Sequence, residues 1–195
     1  DNKQKLTVNV STQKIGRDSY YGGGYDLNGY GNTSELALTG TARYELNMDK
    51  FLFMPAKLTA GFTQEHTNLH DTIHSRNIKQ IINLSSLYLQ NEWRDDKLSF
   101  IIGIRGDKHS KLNNVNIIPR SSIRYRIGEN TNLRAAYSMG YRAPEIIASD
   151  LDIPVINGSA TITVLGDNLK REYSNAVNGG IDFSFYNEKF YSYFL

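Results

Sequence analysis

Apolar residues return at every second position of this chain, in one stretch after another. Leu6, Val8 and Val10 alternate with Thr7, Asn9 and Ser11. Leu36, Leu38, Ala42, Tyr44, Leu46 and Met48 alternate with Glu35, Thr39, Thr41, Arg43, Glu45 and Asn47. Leu58, Ala60 and Phe62 do the same against Lys57, Thr59 and Thr63, as do Leu98, Phe100, Ile102 and Ile104 against Ser99, Gly103 and Arg105. The pattern recurs at Leu87, Leu89 and Trp93 (where Asn91 breaks the apolar side), at Ile123, Tyr125 and Ile127, from Leu133 to Tyr141, and from Val177 to Phe185. A strand sends successive side chains to opposite faces, so each stretch reads as a strand with one apolar and one polar face. The stretches are about ten residues long, the length a tilted strand needs to cross a bilayer, whereas strands of soluble proteins centre on about five or six.

The rest of the composition fits that reading. No stretch approaches the roughly 18 apolar residues of a membrane helix. The mean hydropathy of −0.46 looks soluble, but membrane barrels look the same, because every second residue faces the lumen. A net charge of +2, with basic residues spread along the chain, gives no electrostatic case for nucleic acid. With no cysteine there is neither a disulfide framework nor a thiolate metal site. Asp1-Asn2-Lys3 does not begin a signal peptide, and Phe190-Tyr191-Ser192-Tyr193-Phe194-Leu195 reads as a strand only begun, so the chain is expected to be a fragment.

The connections suggest an orientation. Linkers near 13–33, 66–81, 108–115 and 143–170 read as long and polar, and those near 49–55, 94–97, 128–131 and 186–188 as short. Outer-membrane barrels keep long loops outside and short turns in the periplasm. Phe51, Phe53, Trp93, Tyr125, Phe185 and Tyr186 fall near the short ends, where an aromatic girdle belongs. The fold expected is all-β, an antiparallel up-and-down transmembrane barrel, present here as a partial barrel of about nine strands over residues 1–195. A soluble β-sandwich or barrel also alternates, with the apolar face inside.

The stretch 98–146 carries more than periodicity. Gly103-Ile104-Arg105-Gly106-Asp107 leads into a loop, Pro119-Arg120 follows near a strand start, and the next long strand ends in Tyr141-Arg142-Ala143-Pro144. Downstream stands Gly166-Asp167-Asn168-Leu169-Lys170-Arg171-Glu172. In this order the segments resemble the barrel of TonB-dependent outer-membrane receptors, which carry "G-[IL]-R-x-D", an aromatic before "R-A-P", and "N-P-x-L-K-P-E". Leu169, Lys170 and Glu172 match the last motif, and both of its prolines are missing. Pro144 fixes φ, removes a donor and keeps Ala143 extended, so it can end the strand. Arg142 would sit on the polar face inside the mouth, with Tyr141 on the apolar one.

The resemblance implies closed barrels of about twenty-two strands around an N-terminal plug. They import iron-siderophore, haem or cobalamin by active transport powered by the TonB complex. The expected partners are outer-membrane lipid and lipopolysaccharide, the protein's own plug domain, and the TonB complex, with the plug and the TonB-binding motif outside this chain. Haem or a metal chelate would be cargo and not a resident cofactor. Haem receptors pair such an R-A-P with a downstream N-P-x-L and a histidine between them; here no histidine lies between Pro144 and Gly166. A passive porin is the alternative function, and a soluble β-rich binding domain a third.

Two further groups are candidate ligand contacts. His66, His70 and His74 fall in one expected outer loop, and imidazole ligates haem iron and other metals; a solvated loop with chance histidines is the bland alternative. Tyr20, Tyr21, Tyr25 and Tyr30 share a glycine-rich loop, a combination suited to adaptable binding surfaces and equally to a plain flexible loop. No carboxylate pair, nucleophile with base, or closed metal site appears at a meaningful spacing, so no enzyme is expected and no catalytic or metal residue is assigned.

Overall fold

The computed structural model describes residues 3–21, 27–73, 76–146, 155–156, 159–160, 166, 169–187 and 190–194. It is a nine-stranded antiparallel sheet in which each strand pairs with its sequence neighbour. The strands are β1 (Gln4–Tyr20), β2 (Tyr30–Phe51), β3 (Met54–Ile73), β4 (Arg76–Arg94), β5 (Leu98–His109), β6 (Asn116–Arg126) and β7 (Thr131–Arg142), then β10 (Glu172–Asn187) and β11 (Phe190–Phe194). Two short strands, β8 (Val155–Ile156) and β9 (Ser159–Ala160), pair only with each other between β7 and β10. One 3-10 turn, Leu27–Gly29, precedes β2.

The register joins the alternations across the sheet. Leu6 pairs with Tyr44, Tyr44 with Ala60, Ala60 with Leu89, Leu89 with Ile104 and Ile104 with Pro119. One face is therefore apolar from β1 to β6, and it is exposed: Val10 is 83 % accessible and Leu87 67 %. The other face carries Arg43, Glu45, Lys57, Arg105 and Arg120 and is the concave one. These five line a single cleft of about 540 Å³ that reaches across β2 to β6. Lys57 bridges Glu45 at 3.0 Å, and Arg134 bridges Asp182 at 2.6 Å. An apolar convex face and a polar, ion-paired concave face are those of a barrel wall in lipid.

Strand lengths depart from expectation. β5, β6 and β7 have 12, 11 and 12 residues, but β2, β3 and β4 have 22, 20 and 19. Most of the expected loops 13–33 and 66–81 are strand. Only residues 74 and 75 separate β3 from β4, no more than the Leu52-Phe53 that separate β2 from β3. The strict alternation of long and short linkers therefore fails at β3–β4. A polar segment continues as a strand when its neighbour offers a full ladder, because backbone pairing does not depend on side-chain hydropathy. Pro119 lies near the start of β6, as expected.

The short turns behave as expected. Leu52 takes φ 64°, the left-handed geometry that a two-residue turn demands. Trp93 stacks on Phe51, Phe53 and Phe100 with centroids 6.1, 5.6 and 5.6 Å away, and its indole N–H donates to the Phe51 carbonyl at 3.0 Å. This is an aromatic cluster at the short-turn end of the apolar band. The side chains of Phe185 and Tyr186 lie outside the described residues.

Two outcomes check this assignment. Ala60→Arg, in the apolar band, should cost the parent protein about 2–4 kcal/mol in lipid vesicles, and Thr59→Arg, lumenal and opposite Glu45, less than about 1 kcal/mol, read by urea unfolding. Equal costs would reverse or abolish the two faces. In the β4–β5 turn, Asp95 Oδ1 accepts from the Leu98 and Lys97 amides at 2.7 and 2.8 Å, which holds its carboxyl below the ordinary carboxylate range. A depressed folded value means stability present above the unfolded pKa and lost as pH falls through the folded one. Wild type should therefore lose a small increment of stability as pH drops below about 4, and Asp95→Asn should lack that increment in the same titration.

A candidate binding cleft at the barrel mouth

The last residues of β7 leave the alternation that governs the rest of that strand. Pairing between β6 and β7 stops at Arg120↔Ser138. The next residue of β6 in that direction is Pro119, which has no N–H with which to extend the ladder. Tyr141, expected on the apolar face, instead lines the concave cleft together with Asp107 and His109. Beyond Arg142 the chain turns across the concave side as a strap. Ala143 is buried, Glu145 meets His109 at 3.3 Å, and Ile146 packs on Leu69 and Ile78.

Gln80 on β4 fixes the strap. Its Oε1 accepts from the Ile146 amide at 3.0 Å, and its Nε2 donates to the Ile146 carbonyl at 2.9 Å. One buried side chain thereby satisfies both backbone groups of a residue outside any ladder.

Beneath the strap lies a buried polar network. Asp107 is 3 % exposed and accepts from Arg105 Nε at 2.6 Å, while Arg105 Nη2 donates to Ser86 Oγ at 2.9 Å. Asn116, fully buried, reaches the Asp107 carbonyl through its Nδ2 and accepts from Arg171 Nη1 at 2.7 Å. Arg171 stands where the family motif has its second proline, and its guanidinium also lies 5.0 Å from the centroid of the Tyr173 ring. The departure from the motif thus ties the start of β10 to β6. His109 Nδ1 accepts from the Lys111 amide at 3.1 Å, which leaves Nε2 carrying the hydrogen toward Glu145.

Strap and wall enclose a cleft of about 500 Å³, lined among others by Glu35, Glu65, Asp107, His109, Arg142 and Glu145. The cleft mixes carboxylates with a guanidinium and an imidazole over an apolar base of Leu69, Ile82 and Leu84. Such a lining suits recognition of a polar ligand. Among the described residues no group of three or more His, Cys, Asp or Glu side chains is placed to hold a metal ion.

The other expected ligand residues lie elsewhere. His66 and His70 are on β3, not in a loop, and their parity is that of Leu58, Ala60 and Phe62 on the convex face. They hydrogen-bond Asn83 at 2.8 Å and Asn77 at 3.3 Å across the β3–β4 ladder. They line the outside of an extended hairpin, because β3 keeps its ladder partner to Ile73. Tyr20 and Tyr30 pair at the tip of β1–β2 with ring centroids 4.7 Å apart, and the Tyr21 amide donates to the Gly29 carbonyl at 2.8 Å. Leu169 is exposed. His74, Tyr25 and Asn168 lie outside the described residues. Sequence reasoning missed Gln80, Asn116 and Glu145. Asp107 was visible within the "G-[IL]-R-x-D" motif, but Gln80 and Asn116 sit in plain polar alternation and carry no signal.

Gln80→Ala should release the strap while the sheet stays folded. It strips two buried backbone groups of their partners, a local cost of about 2 kcal/mol or more. Hydrogen exchange over residues 140–146 of the parent protein should quicken by about thirtyfold. Unchanged exchange would mean that Gln80 does not hold Ile146.

Residues 2–194 match a family model described as TonB dependent receptor-like, beta-barrel. The siderophore receptor PirA from Pseudomonas aeruginosa is similar in structure, with TM-score 0.63 and 18 % identity over 92 % of this chain and 37 % of its own. PirA from Acinetobacter baumannii gives 0.68 and 18 % over 92 % and 30 %. The ferric enterobactin receptor PfeA from Pseudomonas aeruginosa, as its G324V mutant, gives 0.65 and 19 % over 93 % and 30 %. The chain thus spans about a third of the length of these structures. A search of the curated proteins gives no match. The match over nearly every residue, on a sheet of this topology and polarity, means that the chain belongs to the TonB-dependent receptor-like β-barrel family.

Proposed function

We propose that the parent protein is a receptor of the bacterial outer membrane that takes up a scarce nutrient by active transport, energised through TonB, with a plug domain inside the closed barrel. The observation that carries the reading is the strap. It covers the concave face at the rim and builds a side-chain-lined cleft there. Family membership and the fold shared with siderophore receptors support the same conclusion. We place an iron-siderophore chelate first among the cargoes, ahead of haem and cobalamin. The haem motif lacks its histidine, and His66 and His70 face away from the cleft.

Uptake assays in the source bacterium test this. Deletion of the parent gene should abolish uptake of one iron-loaded siderophore, haem or cobalamin, and disruption of TonB should abolish the same uptake. Uptake that survives loss of TonB, with small-solute permeability falling on deletion, would make the protein a passive porin.

A further inference from the structure

On the convex face a groove of about 560 Å³ runs between β3 and β7, over Leu58, Leu89, Ile102, Ile104 and Pro119 and beside the rings of Phe51 and Tyr137. It exists because Ser121 is small: the register sets Ser121 between Ile102 and Tyr137, where a larger apolar residue would fill the gap. Asn91 lies in the same row, paired with Leu58 on one side and Ile102 on the other. It is 7 % exposed, and neither its amide nitrogen nor its amide oxygen has a hydrogen-bond partner. An unpaired buried amide on a face that meets hydrocarbon is costly, and a costly placement asks for an occupant.

Depth and chemistry identify that occupant. Two residues toward the short turn stands Trp93, stacked with Phe51, Phe53 and Phe100. Aromatic girdles mark the level of the lipid headgroups, so Asn91 lies just inside it, where the acyl-ester carbonyls of a phospholipid begin. The groove offers no charge. The Arg120 guanidinium is turned to the concave side and bonded to Gln90, and the Tyr137 hydroxyl is spent on Asn175 at 2.8 Å. What remains is an apolar trough lined by one unpartnered amide whose polar atoms lie under neighbouring side chains; once turned outward, its donor is complementary to a neutral carbonyl followed by a hydrocarbon chain. We propose that the groove seats one glycerophospholipid of the periplasmic leaflet. An ester carbonyl accepts from Asn91 Nδ2, and the acyl chain lies over Leu89, Ile104 and Pro119. Neighbouring side chains cover both amide atoms, so seating the ester turns the amide toward the groove. The assignment rests on the reading of the chain as part of an outer-membrane barrel with its short turns in the periplasm.

The test uses the full-length parent protein, purified in detergent from outer membranes, stripped of lipid and titrated with phosphatidylethanolamine in native mass spectrometry. Heat-modifiable migration on gels reports whether each variant is a folded barrel. Wild type should take up one lipid at low concentration. Asn91→Leu, which removes the donor, and Ser121→Leu, which fills the trough and leaves Asn91 in place, should each weaken that uptake by about tenfold or more. Val177→Ala, elsewhere on the same face, should leave it unchanged. A single-lipid adduct retained by either groove variant overturns the proposal. So does a dimer that Ser121→Leu abolishes with no change in lipid binding, which would make the groove a protein contact. A parent chain that fails to fractionate with the outer membrane refutes the receptor reading and this site together; a folded outer-membrane barrel whose adduct survives refutes the site alone.

Discussion

Backbone hydrogen bonding governs this structure more than any core does. In a bilayer each N–H and C=O must find a partner within the protein, and a strand does so only through its neighbours. The chain meets that demand as one continuous meander, each strand paired to the next from Gln4↔Leu46 to Phe183↔Phe194. Among the described residues few hydrophobic side chains are buried, and the leucines and valines of the convex face are exposed. The outer edges of β1 and β11 have no partner in this sheet. An unpaired edge within hydrocarbon is not tolerated, and this sheet is an open one.

The places where the ladder stops are where the molecule builds something other than a wall. Pro119 ends the β6–β7 pairing and leaves the tip of β7 held on its β10 side alone. Tyr141 can then turn inward, and the chain after it can cross the concave face. A segment outside any ladder still carries backbone polar groups, and burying them is costly unless side chains take them up. Gln80 does this for Ile146, Asn116 and Arg105 complete the network around Asp107, and Lys111 fixes the His109 ring. None of the fully buried side-chain atoms of this network lacks a partner, the condition under which a buried polar cluster rigidifies instead of destabilising.

Alternation alone made the sheet, its two faces and its strand order legible, because Leu6, Tyr44, Ala60, Leu89 and Ile104 had to share one side. It misjudged length. Polar residues such as Thr67, Asn68 and Asp71 look like loop, yet they continue β3 because β2 and β4 supply partners on both edges. The same error put His66 and His70 in a loop that would face a ligand, when parity places them outside. Tyr141 was misread for the converse reason: the period of two holds only while both neighbouring ladders hold. Gln80 and Asn116 were invisible, since their roles depend on contacts 66 and 55 positions away in sequence.

Unequal strand lengths give these contacts a common cause. At about 3.3 Å per residue, 20-residue β3 spans about 65 Å and 12-residue β7 about 40 Å. The wall is therefore tall at β2–β4 and low at β5–β7. A chain leaving the low side meets, at its own height, the concave surface of the tall side. Leu69, Ile78 and Gln80 all belong to the stretch of β3 and β4 that sequence reading assigned to loop. The strap is held by the part of the strands that rises beyond the apolar band. Shortening the β3–β4 hairpin would remove its seat without touching the membrane-spanning wall. The extension of polar strand past the bilayer, which looked like loop in the sequence, thus turns a plain wall into one with a cleft at its rim.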